Sequence, residues 1–557
     1  MSAELTAPAG STTTGRHVAG GRPTAPGGTG PVLGPTARPT PAGAALLACC
    51  VAMGVLSHGW NTFRYPLFLT DEGIYTEQAW AVLHEGRLSP YTYFYDHAPL
   101  GWLALAGWVL PLPGQFHAFG NPISTGRVLM VIVHGCSVFL LFEVVRRYSG
   151  RLGGAFLAAF AFNLSPLAVY YQRQVLLDNL MVFWVLLGLY LLARRDGRLL
   201  TMMGAGLAFG FAMVTKENAI FLLPGFGYLL HRSIVAQANH RFSASFWWFA
   251  ATAPVAVYVL FAQIKNELLP ARLDFNLASP PADHVSLLYT VWWQLHRTPA
   301  TSHGSAFAEL LRGSWVAKDR YLLAAGTVAT MGTLLVALRT RDPDRRAPLL
   351  GAAVLAIGYG FYLTRSVLLD FYVLPLVPLL ALNIGLLFDH LTWLAKPTAV
   401  AALVAGVVAV PLINPGGYLV KYNDQHRLQA VDMYRLSLTD LQARQLAWIR
   451  DNVPPDSRMI TDDDLWVSLH DGRPAYPHAH SHWKAAADPD VRDKVFHSDW
   501  HNLDYVVMSN KMRQAMEQNN GGGQEGWILE AIDQHGERVW QASRGDVELE
   551  IIKINTG

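Results

Sequence analysis

The sequence predicts a mainly α protein, a polytopic membrane helix bundle followed by a small soluble α/β domain. Of its 557 residues, 52% are hydrophobic and only 15% are charged, whereas soluble proteins typically contain about 25% charged residues. Apolar runs long enough to cross a bilayer recur between Ala44 and Val410. From about Val420 onward the composition is that of a soluble chain. The two regions therefore need different surroundings, a bilayer and water.

Domain boundaries follow from the same change in composition. Residues 1–42 are rich in Gly, Pro, Thr and Ala and lack apolar periodicity, so they are predicted to form a disordered tail. The three arginines of this tail, against a single glutamate, favour a cytoplasmic start. The predicted domains are the tail at 1–42, a transmembrane domain at 43–415 with outer loops at 61–127 and 264–320, and a soluble extracytoplasmic domain at 416–557.

About eleven membrane spans are predicted from the apolar runs. In chain order they cover residues 44–60, 128–145, 153–171, 176–193, 199–214, 219–230, 246–263, 321–338, 348–363, 373–388 and 398–413. The apolar piece 100–112 is short for a crossing and ends at Pro111 and Pro113, so it is predicted to be an interfacial or re-entrant helix. The arginine-rich short loops then fall on the side of the N-terminal tail. This predicts a multi-pass plasma-membrane protein with a cytoplasmic N-terminus and an extracytoplasmic C-terminus.

The soluble region has the pattern of a small α/β domain. A helix is predicted over Leu438–Asn452, and short strands over Arg458–Thr461 and Tyr505–Ser509. Three aspartates, 462–464, follow the first strand, and a solvated turn is the favoured interpretation over a binding site. Histidines alternate at 478, 480 and 482. On a strand they could face one metal ion, whereas in a loop their spacing would mean little. The absence of a metal is the favoured interpretation.

Polar motifs are predicted to meet on the outer side of the membrane, where ionisable groups are costly and tend to mark function. They are Asp71 with Glu72, Asp96 with His97, Arg173 with Asp178, Lys216 with Glu217, and a further candidate segment at 365–372. A carboxylate can take the proton from an attacking hydroxyl. Arginine and lysine can neutralise a departing phosphate. The set therefore predicts group transfer from an anionic lipid carrier.

Each motif also has a structural interpretation. Asp71 and Glu72 could cap the following helix, and Asp178 could be an N-cap. Arg173 and Lys216 could be interfacial residues whose charges reach the headgroups. His97 taken alone is more typical of a hydrogen-bonded structural residue than of a ligand. The predicted placement of all these residues on one face favours the functional interpretation.

Several stretches resemble one superfamily. The segments TDEGIYTEQAW, YDHAPLGWL, RQVLLDNLMVFW, VTKENAIFLLP and DFYVLPLVPLLAL are similar to signatures of the polyprenol-phosphate-dependent glycosyltransferases of the GT-C fold (glycosyltransferase families 39 and 83). Its members include protein O-mannosyltransferases, the aminoarabinose transferase of lipid A and lipopolysaccharide-core transferases. The resemblance covers about Ala44 to Phe388 and is specific as a set.

The resemblance implies roles for individual residues. Asp71 would be the catalytic base and Asp96 a second acid of the active site, and Arg173 and Lys216 would contact the lipid phosphate. His97 departs from the pattern, because several relatives have Lys or Pro there. The full candidate set is Asp71, Asp96 and Glu72 for catalysis, and Tyr75, His97, Arg173, Asp178, Lys216 and Glu217 for substrate binding.

The implied function is an inverting transfer from a polyprenyl-phosphate sugar to an extracytoplasmic hydroxyl of a lipid, glycan or protein. The expected partners are this sugar donor, the acceptor and the lipid bilayer. No basic block indicates nucleic acid. A divalent metal ion is left open as a cofactor. Two alternatives are a carrier that moves an anionic or lipid-linked substrate without chemistry, and a non-catalytic assembly subunit.

Overall fold

A computed structural model describes residues 40–194, 198–235, 240–270, 286–296, 310–364, 369–394, 421–422, 428–429, 433–519 and 524–555. The predicted tail up to residue 39, the eleventh predicted span and the first residues of the 365–372 segment lie outside this part of the chain.

Fourteen α-helices precede residue 395 in the described part. They are α1 Pro41–Gly59, α2 Thr70–His84, α3 Leu100–Val109, α4 Pro122–Ser149, α5 Leu152–Leu164, α6 Pro166–Tyr171, α7 Leu177–Ala193, α8 Leu199–Thr215, α9 Leu223–Ile234, α10 His240–Ile264, α11 Leu287–His296, α12 Val316–Arg339, α13 Pro343–Leu363 and α14 Leu376–Leu394. Short 3-10 segments at Gln115–His117, Glu217–Leu222 and Asp370–Val373 precede α4, α9 and α14, and a π-helical turn, Leu310–Trp315, precedes α12.

The helices confirm a multi-pass membrane protein. Six are long and apolar enough to cross a bilayer, namely Pro41–Gly59, Pro122–Ser149, Arg241–Ile264, Leu310–Arg339, Pro343–Leu363 and Asp370–Leu391. The other predicted spans up to residue 388 fall on shorter apolar helices, α5 to α9. In the core of the bundle, α4 contacts α1, α5 and α7, while α8 packs between α7 and α10.

Helix ends follow local chemistry. The Asn121 side chain accepts a hydrogen bond from the Ser124 amide (2.8 Å) and Pro122 starts α4, as is usual at N-termini. Gly150, at φ 74°, ends the same helix in the left-handed conformation. Helix α3 has ten residues, which rise about 15 Å, about half the thickness of the hydrocarbon core. Its placement at the membrane interface stays a prediction.

The described C-terminal region is a small α/β domain, as predicted. Its helices are α15 Thr439–Asn452, α16 Asp463–His470, α17 His482–Ala487, α18 Pro489–Val491, α19 Asn510–Asn519 and α20 Gly526–His535. Its strands are the short hairpin β1 Lys421–Tyr422 and β2 Leu428–Gln429, then β3 Met459–Thr461, β4 Ala479–Ser481, β5 Tyr505–Ser509, β6 Gly536–Arg544 and β7 Val547–Ile554. Short π-helical and 3-10 turns lie at Arg492–Phe496 and Trp500–Asn502. The predicted helix and both predicted strands are confirmed to within one residue.

The main sheet has the order β4-β3-β5-β7-β6. Strand β3 is parallel to β4, with Ile460 opposite His480, and parallel to β5, while β7 is antiparallel to β5 and β6. One interpretation made from the sequence is wrong. The aspartates 462–464 are not a solvated turn, because Asp463 is fully buried. Of the alternating histidines, for which strand and loop were both left open, His480 lies on β4.

The outer-loop helix α2 packs directly on the C-terminal domain. A Cβ atom added to Gly73 would lie 2.2 Å from the backbone carbonyl group of Asp463, at the start of α16. Only glycine allows the two helices to approach this closely. The Thr70 hydroxyl donates to an Asp462 carboxylate oxygen (2.8 Å) in the same contact. The first turn of α2 is therefore fixed between the helix bundle and the soluble domain.

Candidate active site

Asp71 lies in the first turn of α2, with its carboxylate oriented toward the helix bundle. The Tyr75 hydroxyl, one turn later, donates to Asp71 Oδ1 over 3.4 Å. Burial raises the pKa of Asp71, and the positive charges of Lys216 and His97 partly oppose that rise, whereas the nearby Asp178 adds to it. Asp71 is therefore a carboxylate of raised proton affinity, with two basic side chains close enough to offset part of the rise.

Lys216 and Asp178 form a buried ion pair beside Asp71. Lys216 follows α8, Asp178 is in the first turn of α7, and Lys216 Nζ lies 2.5 Å from Asp178 Oδ2. The ammonium group also lies 4.3 Å from the ring centre of Tyr372 and 5.0 Å from that of Phe371, which adds cation–π stabilisation. Among the described residues, Asp178 Oδ1 has no hydrogen-bond partner. In the described part of the chain, the Asp178 carboxylate of this pair therefore has one oxygen without a hydrogen bond.

His97 and Glu217 form a second pair that is open to solvent. The His97 Nδ1 atom lies 3.1 Å from Glu217 Oε2, and the side chains are 23% and 39% exposed. The Ala98 amide donates to the other carboxylate oxygen of Glu217 over 2.6 Å. The imidazole ring centre is 6.3 Å from that of Tyr75. Glu217 thus fixes the loop carrying His97 against the start of the segment leading to α9.

These contacts bring together residues from four separate motifs of the sequence. We call the group the Asp71 cluster and define it as Asp71, Tyr75, His97, Asp178, Lys216 and Glu217. It combines a carboxylate of raised pKa, a buried cation and an accessible imidazole. Such a combination can accept a proton and stabilise a departing anion within one site.

Glu72, predicted with the catalytic acids, points away from Asp71. Its carboxylate is fully buried and accepts two hydrogen bonds from Arg127, at 2.8 and 2.6 Å. It also accepts from the backbone amides of Leu69 and Val175. We call Glu72 and Arg127 the Glu72 cluster. This geometry fits a structural carboxylate, because all its directions for hydrogen bonding are used inside the protein.

Arg127 was missed by reasoning from the sequence. Its other donors are used by the carbonyl oxygens of Thr62 and Pro66, at 2.9 and 3.0 Å. A signal was present, because Arg127 stands near the start of a long apolar run, where an ionisable residue needs an internal partner.

Arg173 is also engaged away from the Asp71 cluster. The side chain is fully buried, and its guanidinium donates to the carbonyl oxygens of Met433 (2.9 Å), Ser57 (3.0 Å) and Tyr65 (3.4 Å). It therefore joins α1, the outer loop and the start of the soluble domain. These contacts leave it poorly placed for the predicted phosphate contact.

Asp96 lies on the loop that carries His97, and its side chain is exposed. Its carbonyl oxygen accepts from Gln294 Nε2 over 2.9 Å. Its negative charge acts on Tyr258 of the helix bundle and on Lys484 of the C-terminal domain.

A metal ion is not supported by the side chains. Within the part of the chain that the structure describes, no group of three or more His, Cys, Asp or Glu side chains could hold a metal ion. The residues therefore do not fit the divalent cofactor that the resemblance left open.

Comparison with known proteins decides the fold. The chain superposes on ArnT from Cupriavidus metallidurans bound to undecaprenyl phosphate, with a TM-score of 0.57, 15% sequence identity, and coverage of 91% of this chain and 97% of that one. It also superposes on the oligosaccharyltransferase AglB from Archaeoglobus fulgidus in complex with an inhibitory peptide and a dolichol-phosphate, with a TM-score of 0.52, 12% identity, and coverage of 92% and 74%.

The chain has the GT-C fold. Residues 104–258 match the family model described as dolichyl-phosphate-mannose-protein mannosyltransferase. The matched segment, residues 104–258, contains Asp178, Lys216 and Glu217, whereas Asp71 and His97 precede it. No curated protein matches the chain. The GT-C fold implied by the resemblance of the sequence motifs is thus confirmed.

Proposed function

We propose that the protein is a membrane glycosyltransferase that moves a sugar from a polyprenyl-phosphate carrier to an extracytoplasmic hydroxyl. The observation that carries the proposal is the Asp71 cluster, in which a carboxylate of raised pKa stands beside a buried lysine and an accessible histidine. The polyprenyl phosphates bound to ArnT and AglB support the donor class. The family model matched by residues 104–258 supports the same class of carrier.

In the proposed step, Asp71 takes the proton from the acceptor hydroxyl. The hydroxyl oxygen bonds to the anomeric carbon, the bond from that carbon to the phosphate oxygen breaks, and the electron pair leaves with the phosphate. A single displacement of this kind inverts the anomeric centre. The raised pKa favours proton uptake, because the efficiency of a general base rises with its proton affinity as long as it is ionised at the working pH.

The charge of the leaving phosphate is proposed to be balanced by two cations with different roles. His97 is accessible, and with Nδ1 held by Glu217 its Nε2 atom is free to donate to a phosphate oxygen. Lys216 is 2% exposed and supplies a fixed positive charge behind the site. Asp96, exposed on the same loop, is proposed as the second acid in contact with substrate. No step is assigned to a metal ion.

We also propose that this cluster faces the extracytoplasmic side of the plasma membrane, with the N-terminus in the cytoplasm. The Asp71 cluster lies at the start of α7 and the end of α8, whereas Arg194 and Arg198 lie at the opposite ends of these helices. An arginine-rich end favours the cytoplasm. The soluble domain, which contacts α2 through Asp463, would then be extracytoplasmic as well.

The test is transfer by the purified protein. Radiolabelled polyprenyl-phosphate sugars are incubated with the protein and a membrane extract, and the labelled fraction is identified. Asp71→Asn should lower transfer by roughly 10²–10⁴, the usual contribution of a general base, with an unchanged elution profile in detergent. Asp493→Asn, at an exposed position of the soluble domain, is the matched control and should retain transfer.

Two outcomes would contradict the proposal. Transfer retained by Asp71→Asn would remove Asp71 as the base. Movement of the intact donor across proteoliposomes without loss of its sugar would instead support the carrier alternative.

A further inference from the structure

A cavity lies between the segment that leads into α2 and the C-terminal domain, and no member of the Asp71 cluster lines it. Its volume is about 270 Å³. Residues 67–70, which lead into α2, form one wall. The facing walls come from the ends of β3 and β5 and from α15 and α19.

The position of the cavity in the sheet is that of a binding site. Strands β4, β3 and β5 are parallel and adjacent. From β3 the chain passes through α16 to β4, which lies on one side of the β3–β5 pair. On the other side of this pair, β7 flanks β5. The connections thus diverge between β3 and β5. Crevices outside the carboxyl ends of parallel strands at such a switch point are where α/β sheets bind ligands.

The side chains at these carboxyl ends line the cavity. Asp462 and Asp464 follow β3, His482 follows β4 and Ser509 ends β5. Gln442 and Gln445 from α15 add two amides. Lys511 from α19 adds an ammonium donor to the same lining. The polar lining thus combines carboxylate acceptors with amide, hydroxyl and ammonium donors, and it suits a ligand whose hydroxyls both donate and accept hydrogen bonds.

Apolar side chains complete the wall. Phe68, Leu465 and Met512 contribute apolar surface to the same cavity. A sugar ring presents hydroxyls at its edge and C–H groups on its faces, which matches this mixed lining. The volume is close to the lower limit of about 300 Å³ for small-molecule pockets, so it suits one ring rather than a chain of rings.

The cavity wall is also connected to the proposed base. The Phe68 amide donates to Gln442 Oε1 (3.1 Å), and the Thr70 hydroxyl donates to Asp462 (2.8 Å). Thr70 lines the cavity and immediately precedes Asp71. Occupancy of the cavity and the position of Asp71 therefore depend on the same short segment.

We propose that this cavity binds one hexose or pentose ring of a glycan acceptor. The proposal rests on the proposed glycosyltransferase function and narrows its acceptor to a carbohydrate. The ring in the cavity is a recognition unit, distinct from the hydroxyl that reacts at Asp71.

The experiment blocks the cavity by placing a larger side chain on α19. Ala515 lines it, and substitution to Leu and then Phe should block it progressively. Gln514→Phe places the same aromatic ring on an exposed position of the same helix and is the matched control. Binding of methyl mannoside, methyl galactoside and methyl arabinofuranoside to the purified full-length protein is measured by saturation-transfer NMR, with glycerol as the control for nonspecific contact.

We expect at least one glycoside, and not glycerol, to bind the unmodified protein and Gln514→Phe. Ala515→Leu should weaken binding by about tenfold, since overpacking of a filled site is costly, and Ala515→Phe should abolish it. Thermal denaturation verifies that each variant is folded. Absence of glycoside binding, or equal binding in Ala515→Phe and Gln514→Phe, would overturn the proposal. Because binding is measured without donor, the result is independent of whether sugar transfer is detected.

Discussion

Asp71 and Glu72 are neighbours in the sequence, but their surroundings differ completely. Glu72 is fully buried and shares two hydrogen bonds with Arg127, which itself donates to backbone carbonyls. Within the described part of the chain, Asp71 accepts a single long hydrogen bond, from Tyr75. The nearest ion pair on its side, Lys216 with Asp178, leaves one carboxylate oxygen without a hydrogen bond among the described residues.

The difference shows how one helix turn can serve two purposes. A fully satisfied buried pair fixes the geometry, because breaking it leaves a charge without compensation. A partly satisfied group retains the capacity to bond with a substrate. The Glu72 cluster fixes α2 in an orientation in which the preceding carboxylate, that of Asp71, faces Lys216 and His97.

The largest effect is expected from breaking the Glu72 cluster. Glu72→Gln or Arg127→Met should each destabilise the protein by about 3–5 kcal/mol, because the remaining charge is buried alone. The double variant Glu72→Leu/Arg127→Met removes both charges and should be more stable than either single variant. The measurement is the thermal denaturation midpoint in detergent, together with the yield from membranes.

Equal stability of the two single variants and the unmodified protein would show that Glu72 and Arg127 do not fix α2. Asp71→Asn serves as the control within the same turn. Its denaturation midpoint should stay near that of the unmodified protein, because the contact of Asp71 recorded among the described residues is a hydrogen bond from Tyr75 and not a buried ion pair.

A smaller effect, on the rate of transfer, is expected from Lys216→Met. Removal of one preorganised group that stabilises transition-state charge typically costs about 10²–10³ in rate. Radiolabel transfer is compared with that of Lys265→Met, which removes a lysine that is 41% exposed on the outer loop. Comparable losses in the two variants would indicate a general effect of charge and contradict a role specific to Lys216.

Next in size is the contact between α2 and the soluble domain. Gly73→Ala places a Cβ atom 2.2 Å from the Asp463 backbone, and overpacking of this kind costs about 1–3 kcal/mol. Gly107→Ala in α3 meets no atom within 4 Å and should be neutral or slightly stabilising. If thermal denaturation of the two variants gave the same midpoint, the packing of α2 against Asp463 would not contribute to stability.

Most of the helix bundle could be predicted from the sequence, because apolar runs and flanking arginines report on each segment by itself. The sequence also predicted that Asp71, Lys216 and His97 lie close together, because their motifs fall at span ends on the same side of the membrane. The partner of Glu72 could not be predicted, because Arg127 is 55 residues away and no local pattern joins the two. Arg173 has the same difficulty, since its partners are backbone carbonyls as distant as Met433.

The soluble domain shows the corresponding limit. Its predicted helix has helical apolar spacing and its predicted strands are short local runs, whereas the burial of Asp463 depends on packing against Gly73, which is distant in the sequence. The hydrogen bonds from Trp483 Nε1 to Asp463, at 3.0 and 3.3 Å, likewise join chain segments whose proximity follows from the β3–β4 pairing. Burial raises the pKa of Asp463 to about 7. Tertiary packing, and not composition, thus decides whether an acidic run is solvated.

The smallest predicted effect is a displacement of a pH profile. Asp71 must be ionised to accept a proton, so transfer should decrease as the pH falls through its pKa, which burial raises above the ordinary value for Asp. The positive charge of His97 lowers that pKa. His97→Gln removes this charge and should therefore move the acidic limb of the transfer profile to higher pH, whatever its effect on the maximal rate. His84→Gln removes an exposed histidine from the other end of α2 and should leave the limb in place. A limb that stays fixed in His97→Gln would mean that the group titrating in the profile is not under the influence of His97. The acid would then have to be sought outside the Asp71 cluster.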